Sequence, residues 1–418
     1  MSTIRFIHAA DLHLDSPFRG IHNEAPENVA KCLVEATFGA YERIIDLCLE
    51  REVEALLVAG DIYDGADRSL RAQIRFANGL RRLDAAGIRS FVCHGNHDPL
   101  DGWQARLAFP ASCFQFPGKV TAVPFDPTKP ERATVVGISY PTQKVLRNLV
   151  PEFGPTQKRG FSIGLLHCNV GGNTDHDAYA PCTLDDLRAV GLDYWALGHV
   201  HTRQVLSAHS PTVVYPGNSQ GRNPRETGSR GVYVVEADEL GQASLEFVET
   251  AMVRWESAQI DIQAIETEQD LLDAALGLAG ELLEQAGRDV VYRLALVGRG
   301  DLNDAVRRYA FSADLRDQLN IEWSGGTPFA WCEQVDVRTS PALDRERLRA
   351  GADFVADLLR LFDEVKDDAG LLGRITTDVD QLYNHARIRR ALGGTGAARP
   401  DVADLLAPAE AVSLEHLQ

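Results

Sequence analysis

The sequence predicts an α/β fold: two sheets packed as a sandwich and flanked by helices, then a small α+β capping unit and a helical C-terminal segment. Three observations carry this. Over the first hundred residues short apolar runs alternate with amphipathic stretches, the pattern of strand–helix–strand units around a parallel sheet. Each of those apolar runs ends in a cluster of carboxylate, imidazole or carboxamide side chains. Beyond Pro110 the apolar runs become short and closely spaced, which reads as a second sheet.

Residues 4–10 form the first strand and run into Asp11-Leu12-His13-Leu14-Asp15. A helix follows over about 26–51, with Leu33, Ala36, Tyr41, Ile44, Ile45 and Leu47 on one stripe. The strand 54–59 ends in Gly60-Asp61-Ile62-Tyr63-Asp64. A helix over 69–86 and the run Ile88-Arg89-Ser90-Phe91-Val92-Cys93 lead to Gly95-Asn96-His97-Asp98-Pro99. The carboxyl ends of parallel strands are where open α/β sheets bind ligands, so these clusters are the first candidates for chemistry. Runs at 120–123 and 134–139 read as antiparallel strands, and 160–166 as a strand ending at His167. A short helix at 184–190 and a strand at 194–197 lead into Gly198-His199-Val200-His201. Strands at 212–215, 231–236 and 243–249 are assigned to the second sheet, closing a domain over 1–250. A strand at 258–262, a helix at 267–286 and a strand at 290–297 open the capping domain, 251–340. Residues 341–392 read as helical, with Leu348, Ala352, Val355, Leu358, Leu359 and Phe362 on one stripe. The remainder, 393–418, opens with a Gly/Ala/Pro-rich stretch and reads as a flexible tail.

At 418 residues the chain exceeds what one core fills. No apolar run approaches the length of a membrane span, and the N-terminus lacks a charged n-region before an apolar h-region, so a cytoplasmic protein is expected. Seven scattered cysteines with no Cys-x-x-Cys pair fit a reducing compartment. The net charge of −18 opposes a polyanionic partner, yet it is uneven. Residues 1–250 carry 24 Lys and Arg against 30 Asp and Glu, whereas 251–418 carry 18 against 30. The acidity therefore lies mainly behind the polar clusters, and bound divalent cations would offset part of the rest.

Asp11, His13, Asp61, Asn96, His97, His167, His199 and His201 together make a mixed nitrogen and oxygen donor set suited to Mn, Fe or Zn. A shared carboxylate such as Asp61 can bridge two ions. His199 and His201 either serve one ion or divide between two. His8 and His94 read as satisfied core or turn residues. Arg222, Arg225 and Arg230 lie in a Gly/Asn/Pro loop that is either a phosphate-contacting surface or simply solvated.

In order and spacing, Asp11-Leu12-His13, Gly60-Asp61, Gly95-Asn96-His97-Asp98, His167 and Gly198-His199-Val200-His201 resemble the calcineurin-like metallophosphoesterase signature. Asp11-Leu12-His13-Leu14-Asp15-Ser16-Pro17-Phe18 and Tyr215-Pro216-Gly217-Asn218-Ser219-Gln220-Gly221-Arg222 resemble the SbcD-type DNA repair exonucleases, in particular their YhaO-like branch. The resemblance implies a two-sheet metallophosphoesterase sandwich holding two divalent metals, with Mn the first expectation and Fe, Zn or Mg the alternatives. It implies that Asp11, His13 and His201 hold the first metal, that Asn96, His167 and His199 hold the second, and that Asp61 bridges them. His97 would protonate the leaving oxygen and Asp98 would orient its ring. Asp64 stands where eukaryotic and archaeal relatives carry a second histidine, which puts the balance of endonuclease and exonuclease activity in doubt. Asp64, Arg222 and Arg225 are the candidates for substrate contact. The function implied is a metal-dependent DNA exonuclease, with endonuclease activity as an open addition. It would act on DNA ends in the nucleoid, as a homodimer with a coiled-coil SMC-like (SbcC-type) ATPase docked on residues 341–392. A phosphatase or nucleotide phosphodiesterase of the same fold, or a non-catalytic scaffold, are the alternatives.

Overall fold

The computed structural model describes residues 3–21, 25–65, 69–103, 105, 107–154, 160–172, 179–238, 240–342, 345–384 and 401–417. They fall into two compact units, 1–297 with 304–338, and 298–303 with 339–418.

In the larger unit, strand β1 (Ile4–Ala9) leads to helix α1 (Glu27–Glu50), β2 (Ala55–Ala59), α2 (Leu70–Ala85), β3 (Arg89–Cys93) and β4 (Cys113–Gln115). These four strands are parallel, because each helix returns the chain to the amino end of the sheet. Ser69 starts α2 by accepting the Ala72 N–H at 2.9 Å. The chain continues through β5 (Thr121–Pro124), β6 (Ala133–Gly137), β7 (Phe161–His167), α3 (Leu184–Val190), β8 (Tyr194–Gly198), β9 (Gln204–Ser207) and β10 (Thr212–Tyr215). It then forms β11 (Gly231–Ala237) and β12 (Ala243–Glu249).

The sheet orders are β12-β11-β1-β2-β3-β4 and β5-β6-β7-β8-β10-β9. The two-sheet sandwich is as expected, but β11 and β12 belong to the first sheet, not the second. β1 needs a partner on the edge away from β2, and β11 supplies it antiparallel, with Ile4 opposite Ala237 and Phe6 opposite Val235. Between the sheets lie Phe6, Phe91, Phe125, Phe161 and Tyr194. The outer face of the first sheet is covered by Tyr41, Ile44, Ile45, Phe76 and Leu80 from α1 and α2. Full burial of side chains of this size contributes about 1.5–3 kcal/mol each.

Strand β13 (Val253–Asp261), helix α4 (Glu268–Ala286) and β14 (Asp289–Val297) follow. After β15 (Arg299–Gly300) and the single turn α5 (Asn303–Val306) come α6 (Phe311–Trp323) and β16 (Ala330–Val337). β13, β14 and β16 make an all-parallel sheet. One face of it meets Val29, Leu33 and Ala36 of α1 through Val253, Trp255, Val291 and Trp331. This segment thus shares an apolar cluster with the sandwich.

In the smaller unit β15 pairs with β17 (Ser340–Pro341). Its helices are α7 (Arg345–Ala350), α8 (Phe354–Asp367), α9 (Ala369–Asn384) and α10 (Val402–Leu417). The helical reading of 341–392 is interrupted where Asp353 caps α8 by accepting the Ala356 N–H at 3.0 Å. Residues 385–392 of the expected helix lie outside the described residues. The expected flexible tail contains α10, whose buried Glu410 pairs with Lys366 at 2.9 Å. No described helix is long and apolar enough to cross a membrane.

Candidate metal centre

β1, β2 and β3 run parallel in one sheet and β7 and β8 in the other, and their carboxyl ends deliver the polar clusters to one place. Asp11, His13, Asp61 and His199 all sit at positive φ (51°, 43°, 52° and 101°), a costly backbone for side chains of this kind and typical of functional turns. Glycines make the close approach feasible. A Cβ on Gly95 would overlap Asp61 Oδ1 and lie 2.8 Å from His167 Nε2.

Hydrogen bonds fix the tautomers. His13 Nδ1 lies 2.9 Å from Asp64 Oδ1 and His201 Nδ1 lies 2.7 Å from Glu226 Oε1. A carboxylate only accepts, so both rings carry their proton on Nδ1 and present an Nε2 lone pair. Those two Nε2 atoms face each other at 3.2 Å. Two lone pairs held that close repel unless a cation joins them. Asp11 completes a set with His13 and His201 whose donor atoms all lie within 4.8 Å. Burial raises the pKa of Asp11 to about 6, partly offset by His201 and His167, and burial lowers His13 to about 4.

The second focus is His167. Its Nδ1 donates to the Ala59 carbonyl at 2.9 Å, which turns Nε2 toward Asn96 Oδ1 at 3.0 Å and Asp61 Oδ2 at 3.3 Å. The same Asp61 oxygen is 4.0 Å from His13 Nε2, so this carboxylate stands between the two foci. Burial opposes its ionisation, but His167, His97 and His13 hold its pKa well below the usual carboxylate range. Burial also opposes the charge on His167, and Asp61 nonetheless lifts that ring to about 9. The centre is built to hold positive charge. His199 donates its backbone N–H to Asp11 and packs its ring edge-on to His167, with centroids 5.2 Å apart. Convergent imidazole nitrogens and carboxylate oxygens around two neighbouring foci fit divalent metals; Asp11, His13 and His201 would hold one, Asn96 and His167 with the adjacent His199 would hold the other, and Asp61 stands between.

His97 is different. Its side chain is 45 % exposed, and its Nδ1 lies 2.7 Å from Asp64 Oδ1. Partial burial disfavours its charge, but the Asp64 and Asp61 carboxylates raise its pKa to about 8. Asp98 does not orient this ring, contrary to the sequence expectation. Its carboxylate is occupied by the backbone N–H groups of Gly95 (2.7 Å), Ile62 (3.1 Å) and Asp61 (3.2 Å) and by His94 Nδ1 (3.1 Å). Asp98 therefore shapes the turns that carry Asp61 and His97. Nor does Asp64 face substrate directly. It is buried and accepts from His13, His97 and Ser16, which hold it far below the usual carboxylate range against the cost of burial. His13, Asp64 and His97 also cluster at ligand-like distances, but the nitrogens that meet there are the ones already bonded to Asp64.

Arg222 lines the cleft mouth with Arg19, His97 and His201, whereas Arg225 is exposed on the loop beyond. Arg230 is buried and donates to the His201 carbonyl and to Asn218, so it braces the loop. Glu226, which no sequence motif marks, is the partner that fixes His201, and it also accepts from Asn218 and from the Arg222 N–H. His8 and His94 are satisfied core residues, each ring bonded through both nitrogens.

Residues 4–203 match the calcineurin-like phosphoesterase family, and residues 255–340 match the middle domain of metallophosphoesterase YhaO. The chain is 39% identical over 305 residues to the uncharacterized metallophosphoesterase YhaO of Bacillus subtilis (strain 168), across 71% of this chain and 72% of that one. It is 26% identical over 219 residues to the DNA double-strand break repair protein Mre11 of Sulfurisphaera tokodaii, across 51% of this chain and 53% of the other. Against a subunit of the nuclease SbcCD of Bacillus subtilis (strain 168) it is 20% identical over 299 residues, across 61% and 73%. The YhaO match spans nearly three quarters of a metallophosphoesterase, and the family match takes in every candidate ligand from Asp11 to His201, so the chain belongs to the calcineurin-like metallophosphoesterase family of phosphoester hydrolases.

Proposed function

We propose that the protein is a two-metal DNA phosphodiesterase, an exonuclease acting on double-strand breaks and DNA ends. The names of its Mre11 and SbcCD relatives support the substrate. One observation supports the chemistry above all others: the half-exposed His97, bonded to the buried Asp64, stands at the mouth of a buried, cation-seeking centre. When bound, divalent metals polarise a phosphoryl oxygen and lower the pKa of water; Mn suits this donor set. His97 keeps its Nδ1 proton on Asp64 and gives up the proton on Nε2 to the leaving oxygen; its raised pKa keeps that proton in place at neutral pH until it is needed. Asp64 orients both that acid and the ligand His13. In this reading the enzyme works as a homodimer in the cytoplasm, and residues 341–392 dock a coiled-coil SMC-like ATPase.

The test is to strip the purified protein of metal, reload it with Mn, and offer linear duplex DNA, single-stranded DNA and small phosphate esters. Cleavage of DNA, lost in His97→Ala, is the expected result. Turnover of esters alone would replace this reading with a phosphatase or nucleotide phosphodiesterase, and inactivity on every substrate would favour a scaffold.

A further inference from the structure

The segment between His13 and Gly20 forms one rim of the cleft, and it is clamped from both sides. Ser16 Oγ donates to Asp64 at 2.5 Å, and the Arg19 N–H donates to the Arg222 carbonyl at 2.8 Å. From the segment matched as the middle domain, Arg293 donates through Nη2 to the Gly20 carbonyl at 2.7 Å, while its Nε is held at 2.7 Å by the fully buried Glu333. The Phe18 ring stacks on Trp255, with centroids 6.4 Å apart. So fixed a backbone presents one exposed cation, Arg19, to the cleft beside His97 and Arg222.

Arg19 has no carboxylate partner among the described residues, as is also true of the exposed Arg81, Arg203 and Arg225; what sets it apart is its place in the cleft beside His97 and Arg222. Arg222 beside it is only loosely countered. Its Nη1 is 3.6 Å from Asp64, beyond hydrogen-bond distance. Two guanidinium groups thus face the cleft mouth with donors to spare, on a chain whose net charge of −18 repels polyanions. A phosphate needs such a local pair of fork-shaped donors.

We infer that Arg19, together with Arg222, grips a phosphate that flanks the scissile one, and that Arg293 and Glu333 set the rim that aims Arg19. The cleft then selects polymers with consecutive phosphodiesters over esters that carry one phosphate. This rests on the phosphodiesterase reading above and adds to it the residue that measures the neighbouring phosphate.

Arg19→Ala and Arg19→Glu are compared with wild type in three measurements: binding of a fluorescein-labelled linear duplex as a function of salt, cleavage of that duplex, and turnover of bis-para-nitrophenyl phosphate. Arg19 is exposed, so both variants should fold. For Arg19→Ala, duplex affinity should fall about tenfold and the slope of log affinity against log salt should shrink by about one. The loss in kcat/KM should be at least about fivefold greater on duplex than on the ester, and Arg19→Glu should exceed Arg19→Ala. The paired variant Arg293→Gln with Glu333→Gln leaves no buried unpaired charge, and it should lower duplex affinity in the same direction. An unchanged salt slope, or equal losses on duplex and ester, overturns the inference and leaves the nuclease reading intact. Wild-type protein that turns over the ester but neither binds nor cuts duplex removes both.

Discussion

Replacing Asp64 by Asn isolates the most heavily used carboxylate of the centre. It accepts from His13 Nδ1 at 2.9 Å, His97 Nδ1 at 2.7 Å and Ser16 Oγ at 2.5 Å, and an amide oxygen offers the same rings no charge. With that carboxylate gone, the His97 pKa should fall from about 8 to its ordinary value near 6.5 or below, because partial burial already opposes the charged ring. At pH 7.5 the protonated fraction would drop from about three quarters to about one tenth, roughly an eightfold loss. Replacing a charge-assisted hydrogen bond by a neutral one costs about 1 kcal/mol or more, which adds a further factor of roughly ten through misorientation. The expected deficit is about a hundredfold at pH 7.5, narrowing to about tenfold at pH 6, where both enzymes are protonated. Because Asp64 also holds His13, metal content by plasma mass spectrometry is matched in the two proteins before their pH profiles are compared. Turnover of a small phosphodiester by Mn-reloaded protein from pH 6 to 9 measures this. The basic limb should move down by more than one pH unit in Asp64→Asn. A basic limb that stays in place while activity falls would refute the argument, since Asp64 would then be acting only through His13 and the metal.

Three further outcomes follow from the geometry. His97→Ala should lower turnover by about 10²- to 10⁴-fold while metal content by plasma mass spectrometry stays near two ions per chain; a large metal loss would make His97 a ligand. Gly95→Ala should cut metal content and activity together, because the added methyl overlaps Asp61 Oδ1 and crowds His167 Nε2; full metal loading would show that the turn can yield. The buried His8 ring, which burial holds near pKa 3, gains its proton only on unfolding. A depressed folded pKa leaves that stability intact above pH 6.5 and removes it as the pH falls toward 3, about 3 kcal/mol by pH 4.5. Urea unfolding at pH 7 and 4.5 should therefore show a smaller acid loss for His8→Gln than for wild type, and equal losses would place the acid sensitivity elsewhere.

The polar ends of β1, β2, β3, β7 and β8 were legible because each follows a mainly apolar run, and parallel strands put such ends on one edge. That is why Asp11, Asp61, Asn96, His167 and His199 could be grouped before any geometry was known. The partners behind them were not legible. Asp98 is the neighbour of His97 in sequence, but the tight turn at Gly95 points its carboxylate back at backbone N–H groups. Asp64, 33 positions earlier, reaches the imidazole instead. Glu226 sits in a loop of Gly, Asn, Pro and Arg with no periodicity to mark it, and only the fold brings it to His201. Sheet membership of β11 and β12 was hidden for a related reason. Alternation identifies a strand but not its neighbour, and the free edge of β1 decided that.

The facing pair His13 and His201 is separated by 188 positions, as are Asp11 and the His199 N–H. Neither sheet alone owns the centre. A chain emerging from the ribosome can fold β1 through β4 and still have no place for a metal until β8 has joined β7 and the sheets have closed on each other. Acquisition of metal would therefore report completed assembly, and an intermediate with only one sheet folded would hold only part of the donor set.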